Sequence, residues 1–276
     1  MKRLTYLALL LLCTLLSGIS GCAQKNAMGR KQVSILPDSV LNEQATTFFD
    51  QEKLDKKISS DKRLSSIVQR VANRLIKQAN IHYGQYCEGF EWDVQLFEEP
   101  DTKNAYCAPG GKIGIYTGIL PVCKNEAGLA VIMGHEISHA LLRHSNGRAT
   151  STLGITALAA IIEAALGEDA SEEKKGLILG GVAAASQFAF LLPNSRVDEN
   201  EADHMGLLLM ALAGYDPNEA PKIWARMKAL SEGETPEFMS THPSDGRREK
   251  RLTEFLIKAQ PMYDNSKEKW GLGENL

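Results

Sequence analysis

Leu64, Ile67, Val68, Val71 and Leu75 recur at the spacing of one helix face, which predicts an amphipathic helix over residues 61–79. Between Phe90 and Phe97 apolar and polar residues alternate, as they do on a half-buried strand. Asn104 to Leu120 holds two short β-prone runs around Pro109-Gly110-Gly111, the second being Lys112 to Thr117, and reads as a hairpin. A helix then runs from Asn125, a suitable N-cap, to about His144. Two Ala/Gly-rich apolar runs follow, Leu153 to Gly167 and Gly176 to Leu192, split by a charged segment. Each is at or below the length of a membrane span, and Glu163 and Gln187 interrupt them. A hairpin buried within the fold is therefore favoured over one dipping into a membrane. Another helix is expected from about Arg196 to Ala213-Gly214, with Gly214 closing it. Asp216-Pro217 opens the next, in which Trp224 and Met227 read as core, and from Arg247 a charged helix leads to a polar tail at 261–276.

The N-terminus follows a different pattern. Lys2 and Arg3 precede an almost purely apolar stretch from Leu4 to Leu16, which reads as an export signal over residues 1–21. Ile19-Ser20-Gly21-Cys22 resembles a bacterial lipobox. That resemblance implies acyl chains on Cys22, a membrane anchor without a spanning helix. Ala23, and no aspartate, follows Cys22, so the expected address is the outer membrane of the bacterial envelope, facing the periplasm. Residues 22–39 are polar and mixed and read as a tether, leaving 40–260 for the folded domain.

Composition adds little to this. The chain has 276 residues, 24% of them charged and a net charge of -3, which is ordinary for a globular protein. No basic stripe stands out, so nucleic acid is not an expected partner. Besides Cys13 and Cys22 there are Cys87, Cys107 and Cys123, enough for one bridge at most, and their spacing does not suit a structural zinc site.

The chemistry lies in His135-Glu136-Ile137-Ser138-His139. Histidines four apart on a helix stack on one face and can grip one ion. Glu136, about 100° round the helix, reaches a water beside that ion rather than the ion itself. Metal-assisted peptide hydrolysis needs this set: zinc to polarise the carbonyl, and a carboxylate to carry the water's proton to the leaving amine. A catalytic zinc also takes a third protein ligand. Glu199 and Asp203 are again four apart, a spacing that suits one carboxylate on the metal and one bracing a ligand histidine. Glu201 would face away if Glu199 faces the metal, and His204 is off that face and reads as a packing or surface histidine. Glu163 lies 24 residues past His139 but lacks an aspartate four residues later. A histidine ligand six residues after the motif is excluded, because Ser145 stands there.

With Ser195-Arg196-Val197-Asp198-Glu199-Asn200-Glu201-Ala202-Asp203, Asn104-Ala105-Tyr106, Arg143-His144, Ala213-Gly214-Tyr215-Asp216-Pro217 and Thr241-His242-Pro243, the chain resembles the HtpX/Oma-type zinc metallopeptidases over roughly residues 40–255. Within that family it is similar to the LoiP/BepA-like outer-membrane lipoprotein peptidases. The resemblance implies an α+β, mostly α-helical, zincin-like (gluzincin) domain with a small sheet beside the active-site helix, and one Zn2+ per chain. It makes His135, His139 and Glu199 the ligands, Glu136 the general base and Asp203 the partner of a ligand histidine. It also gives His242 a role at the zinc, stabilising the oxyanion or filling the fourth position at rest. Gly128 and Arg248 depart from the family pattern, and neither is expected to touch the metal site.

Ile113 to Tyr116 directly precedes the active-site helix and is expected to be an edge strand that pairs with substrate backbone. The function implied is an endopeptidase acting on unfolded or misassembled envelope proteins. The alternative is a chaperone-like assembly factor that binds such proteins and seldom cuts; Glu136 speaks against it, since a binder needs no base beside a metal.

Overall fold

The computed structural model describes residues 23–166, 194–230, 235–243, 246–273 and 276. Cys22 and the second apolar run lie outside them. Strands β1 (Ala23–Lys25) and β2 (Lys31–Val33) pair antiparallel as a small hairpin. The segment expected to be a tether is therefore folded from Ala23 onward. Its composition misleads because its polar side chains find polar partners on the body: Gln32 Nε2 donates to the Leu142 carbonyl at 3.0 Å, and Arg30 pairs with Asp198 and Glu201. Helix α1 (Asp38–Asp55), which no sequence pattern singled out, buries only Leu41, Ala45, Phe49 and Glu52.

Helix α2 (Lys62–Tyr83) buries Ile67, Val68, Val71, Leu75 and Ile76, the face its periodicity predicts. Strands β3 (Asp93–Phe97), β4 (Ala105–Ala108) and β5 (Lys112–Tyr116) form one sheet in the order β3-β5-β4. β4 and β5 are the predicted hairpin, antiparallel about Pro109-Gly110-Gly111, and β3 runs parallel to β5. The edge assignment of Ile113–Tyr116 is thus corrected: β5 is the central strand, buried along its length, and β4 is an edge. Alternation could not reveal this, since both faces of β5 are covered.

A short turn of helix, α3 (Leu120–Cys123), leads into α4 (Glu126–Leu141), whose N-cap Asn125 accepts from the Gly128 N–H at 2.8 Å. Every residue of α4 is buried. The helix ends sooner than periodicity predicts. Arg143 takes a left-handed conformation (φ 56), its guanidinium held by Asp38 at 2.6 Å, and α5 (His144–Leu166) departs in a new direction. Among the described residues no helix is long and apolar enough to cross a membrane.

Helix α6 (Arg196–Leu212) opens on a capping box between Ser195 and Asp198 and closes at Gly214, as expected. It is followed by α7 (Glu219–Leu230), the short α8 (Glu237–Thr241) and α9 (Arg248–Asn265). α4 and α6 cross with their backbones in contact. A Cβ on Gly206 would lie 2.8 Å from the His135 amide nitrogen, and one on Gly134 would lie 3.0 Å from the Gly206 carbonyl. One continuous apolar core joins α2, the sheet, α4, α6, α7 and α9, with Trp224 and Met227 inside it. The C-terminal stretch packs on this core too, the Trp270 N–H donating to the Gly214 carbonyl at 2.9 Å.

Candidate metal centre

Helix α4 presents His135 and His139 on one face, and their Nε2 atoms stand 3.0 Å apart. The close crossing at Gly206 brings the N-terminal half of α6 against that face. Glu199 Oε1 then lies 3.3 Å from His139 Nε2, and Glu199 Oε2 lies 3.5 Å from His135 Nε2. His242 closes the group from the end of α8, its Nδ1 3.2 Å from His135 Nε2 and 3.0 Å from Glu199 Oε1. A tetrahedral zinc with bonds of about 2.1 Å needs donors about 3.4 Å apart, so these spacings fit such an ion. All four residues are buried, and three imidazole nitrogens with one carboxylate oxygen are donor types that bind zinc.

Glu136 lies beside this group and not in it, as the helix geometry requires. Its Oε1 is 3.2 Å from His242 Nε2 without being aligned for a hydrogen bond, and the Cys107 backbone on β4 faces the same carboxylate. Burial pushes its carboxyl up to about 7, against the pull of His242. Burial alone would also raise Glu199, yet His242, Arg248 and His135 around it hold it well below the usual carboxylate range. His139 goes down, chiefly because burial penalises its charged form. A neutral imidazole and an ionised carboxylate are the forms that bind a metal.

Asp203 Oδ1 lies 3.0 Å from His135 Nδ1, the ring atom turned away from the four donors. Glu201 points elsewhere, to His144 at 3.1 Å. His204 stacks on Phe255 with ring centroids 4.2 Å apart. Arg248 departs from expectation. It is 2% exposed and reaches Glu199 Oε2 at 2.8 Å and Asp203 Oδ1 at 2.6 Å, with its guanidinium carbon 3.3 Å from the Trp224 ring centroid. Far from touching local packing alone, it is the cation of the centre's carboxylates. A signal was present in the sequence: Arg248 shares a helix face with Leu252 and Ala259, and a charge on an apolar stripe has to be paired.

A cavity of about 300 Å³ opens on the centre, lined by Glu136, His139 and His242, by β4 from Ala105 to Ala108, and by Glu52 and Arg148. The lead-in to β4 is tied to α8, because the Phe238 N–H donates to the Lys103 carbonyl at 3.1 Å. His242 stacks on Phe238 with ring centroids 4.3 Å apart. A larger, shallower depression of about 530 Å³ near Asp38 and Asn42 is lined by none of the four donor residues. Cys87, Cys107 and Cys123 are all free thiols.

The profile of Peptidase family M48 matches residues 60–256. The mitochondrial metalloendopeptidase OMA1 of Schizosaccharomyces pombe is 35% identical over 214 residues, covering 77% of this chain and 59% of that protein. The OMA1 of Saccharomyces cerevisiae is 30% identical over 212 residues, 74% of this chain and 58% of its own length. The beta-barrel assembly-enhancing protease of Yersinia pestis is 25% identical over 277 residues, covering 93% of this chain and 54% of that one. The chain spans little more than half the length of these relatives.

Proposed function

The chain belongs to peptidase family M48, and from that premise we propose that it is a zinc-dependent endopeptidase of the bacterial cell envelope that cleaves unfolded or misassembled proteins. The observation that carries the reading is the convergence of His135 Nε2, His139 Nε2, a Glu199 oxygen and His242 Nδ1 beside a buried Glu136. His135, His139 and Glu199 would hold the metal. Zinc supplies Lewis acidity, polarising a carbonyl and acidifying a water. Glu136 is the base: its buried carboxylate would accept a proton at Oε1 and deliver it to the leaving amine. Asp203 accepts from His135 Nδ1 and fixes that ring's tautomer.

His242 would complete the donor set of such a metal at rest, and its Nε2, 3.2 Å from Glu136 Oε1, stands beside the base, where it would donate to an oxyanion. β4 is an edge strand of the sheet and lines the cleft, a placement that would let extended main chain of any sequence add beside it. Unfolded protein meets that requirement and a folded domain does not. The envelope address rests on the signal segment and on Cys22 as the site of lipid attachment, one residue before β1. A bacterial relative named a beta-barrel assembly-enhancing protease is in keeping with it.

Digestion of casein by the purified protein tests this directly. Glu136→Gln should slow cleavage by about 10²- to 10⁴-fold, and a zinc chelator should stop it. Cleavage that survives both would end the reading.

A further inference from the structure

The two ring-bound ligands are braced differently. His135 has Asp203 behind it, whereas His139 turns its Nδ1 to a second imidazole, His144 Nδ1, at 2.8 Å. His144 Nε2 in turn faces Glu201 Oε2 at 3.1 Å. Glu201 Oε2 also accepts from Asn26 Nδ2 at 2.9 Å, and its Oε1 accepts from Arg30 Nε at 2.8 Å. Arg30 Nη2 lies 2.6 Å from Asp198 Oδ1. Asn26 and Arg30 belong to the turn between β1 and β2.

We propose that His144 and Glu201 form a relay that orients His139, and that Arg30 and Asn26 of the N-terminal hairpin hold the relay in place. It rests on His139 being a metal ligand through Nε2. That role leaves Nδ1 protonated, so it donates to His144 Nδ1, which accepts. His144 must then carry its proton on Nε2, where it donates to Glu201. One tautomer satisfies every contact, and each donor meets an acceptor. His144 is fully buried between these two partners.

His144, Asp198 and Glu201 could by themselves suggest a second metal site. Arg30 argues otherwise, since its guanidinium already bridges both carboxylates and a metal would have to expel it. The consequence concerns regulation. The residues that complete the brace on His139 lie in the first turn of the described chain, so the metal centre reads whether the hairpin is docked.

The test uses the full-length chain loaded with Co2+, comparing wild type with Glu201→Gln, Arg30→Ala and Arg30→Lys. Chelator competition gives the affinity, the visible absorption of the saturated protein reports ligand geometry, and circular dichroism reports folding. Glu201→Gln should weaken binding by about 10- to 100-fold, Arg30→Ala by about tenfold, and both should shift the absorption band. Arg30→Lys, which keeps the charge, should recover part of the loss. Variants that match wild type in affinity and band position overturn the relay and leave the metal centre standing. So do variants that lose folded protein while the folded fraction keeps the wild-type band. A wild-type chain that binds no metal overturns both.

Discussion

Gly206→Ala probes the crossing on which the metal centre depends. A Cβ at this position would meet the His135 amide nitrogen at 2.8 Å and the Gly134 carbonyl carbon at 2.9 Å, both backbone atoms that no rotamer change can move. Restoring an ordinary contact requires α6 to retreat from α4 by about 0.6 Å. The helices are stiff, so most of that retreat reaches Asp203 one turn away and Glu199 two turns away. Glu199 Oε1 now stands 3.3 Å from His139 Nε2, and metal sites tolerate about 0.2 Å in each bond. Overpacking costs about 1–3 kcal/mol. Replacing a helical glycine by alanine returns about 1 kcal/mol, leaving a net loss of about 0–2 kcal/mol. The melting temperature should therefore fall by no more than about 8 °C, while kcat/KM and zinc affinity fall by about a hundredfold. Gly147→Ala is the control. Gly147 lies in α5 with no described atom within 4 Å of an added Cβ, so alanine should raise stability and leave activity alone. Titration with a chromophoric chelator, casein cleavage and a thermal melt read the three quantities. A Gly206→Ala protein within threefold of wild type in both affinity and cleavage would show that the crossing does not set the ligand geometry.

If His242 blocks the proposed metal site at rest, His242→Ala should raise basal casein cleavage severalfold, since Nδ1 lies among the other donors; a tenfold fall would instead make oxyanion stabilisation its main task. Arg248→Met leaves Glu199 and Asp203 without their buried cation and should cost about 3 kcal/mol or more in the metal-free protein. The loss should be smaller once a metal neutralises Glu199, so equal melting shifts with and without chelator would contradict that role for Arg248. Burial pushes the Cys123 thiol up to about 12 and the Cys87 thiol up to about 11. At pH 8 the thiolate fraction is thereby cut by about 100- to 1000-fold, so the native protein should resist alkylation at both sites and react after unfolding. Rapid labelling of the native protein would show that those sites open.

The sequence by itself determined what is local. His135, Glu136 and His139 share a turn of helix, so their relative placement follows from 3.6 residues per turn, and the same holds for Glu199 with Asp203. Ser195 as cap, Gly214 as stop and Pro109-Gly110-Gly111 as hairpin turn are likewise properties of a few adjacent residues. What required the tertiary structure lies between elements. Alternation along β5 could not say which strands flank it, and the polarity of residues 23–38 could not say that carboxylates on α6 were waiting for Arg30. Arg248 is expected from the sequence to stay clear of the metal site, and only the packing of α9 shows it reaching Glu199 and Trp224. Gly134 and Gly206 are unremarkable in two helical patterns, and only the crossing gives their missing side chains a purpose. A helix dictates which of its residues stand together. Which faces then meet, and how closely, is settled by packing summed over the whole chain.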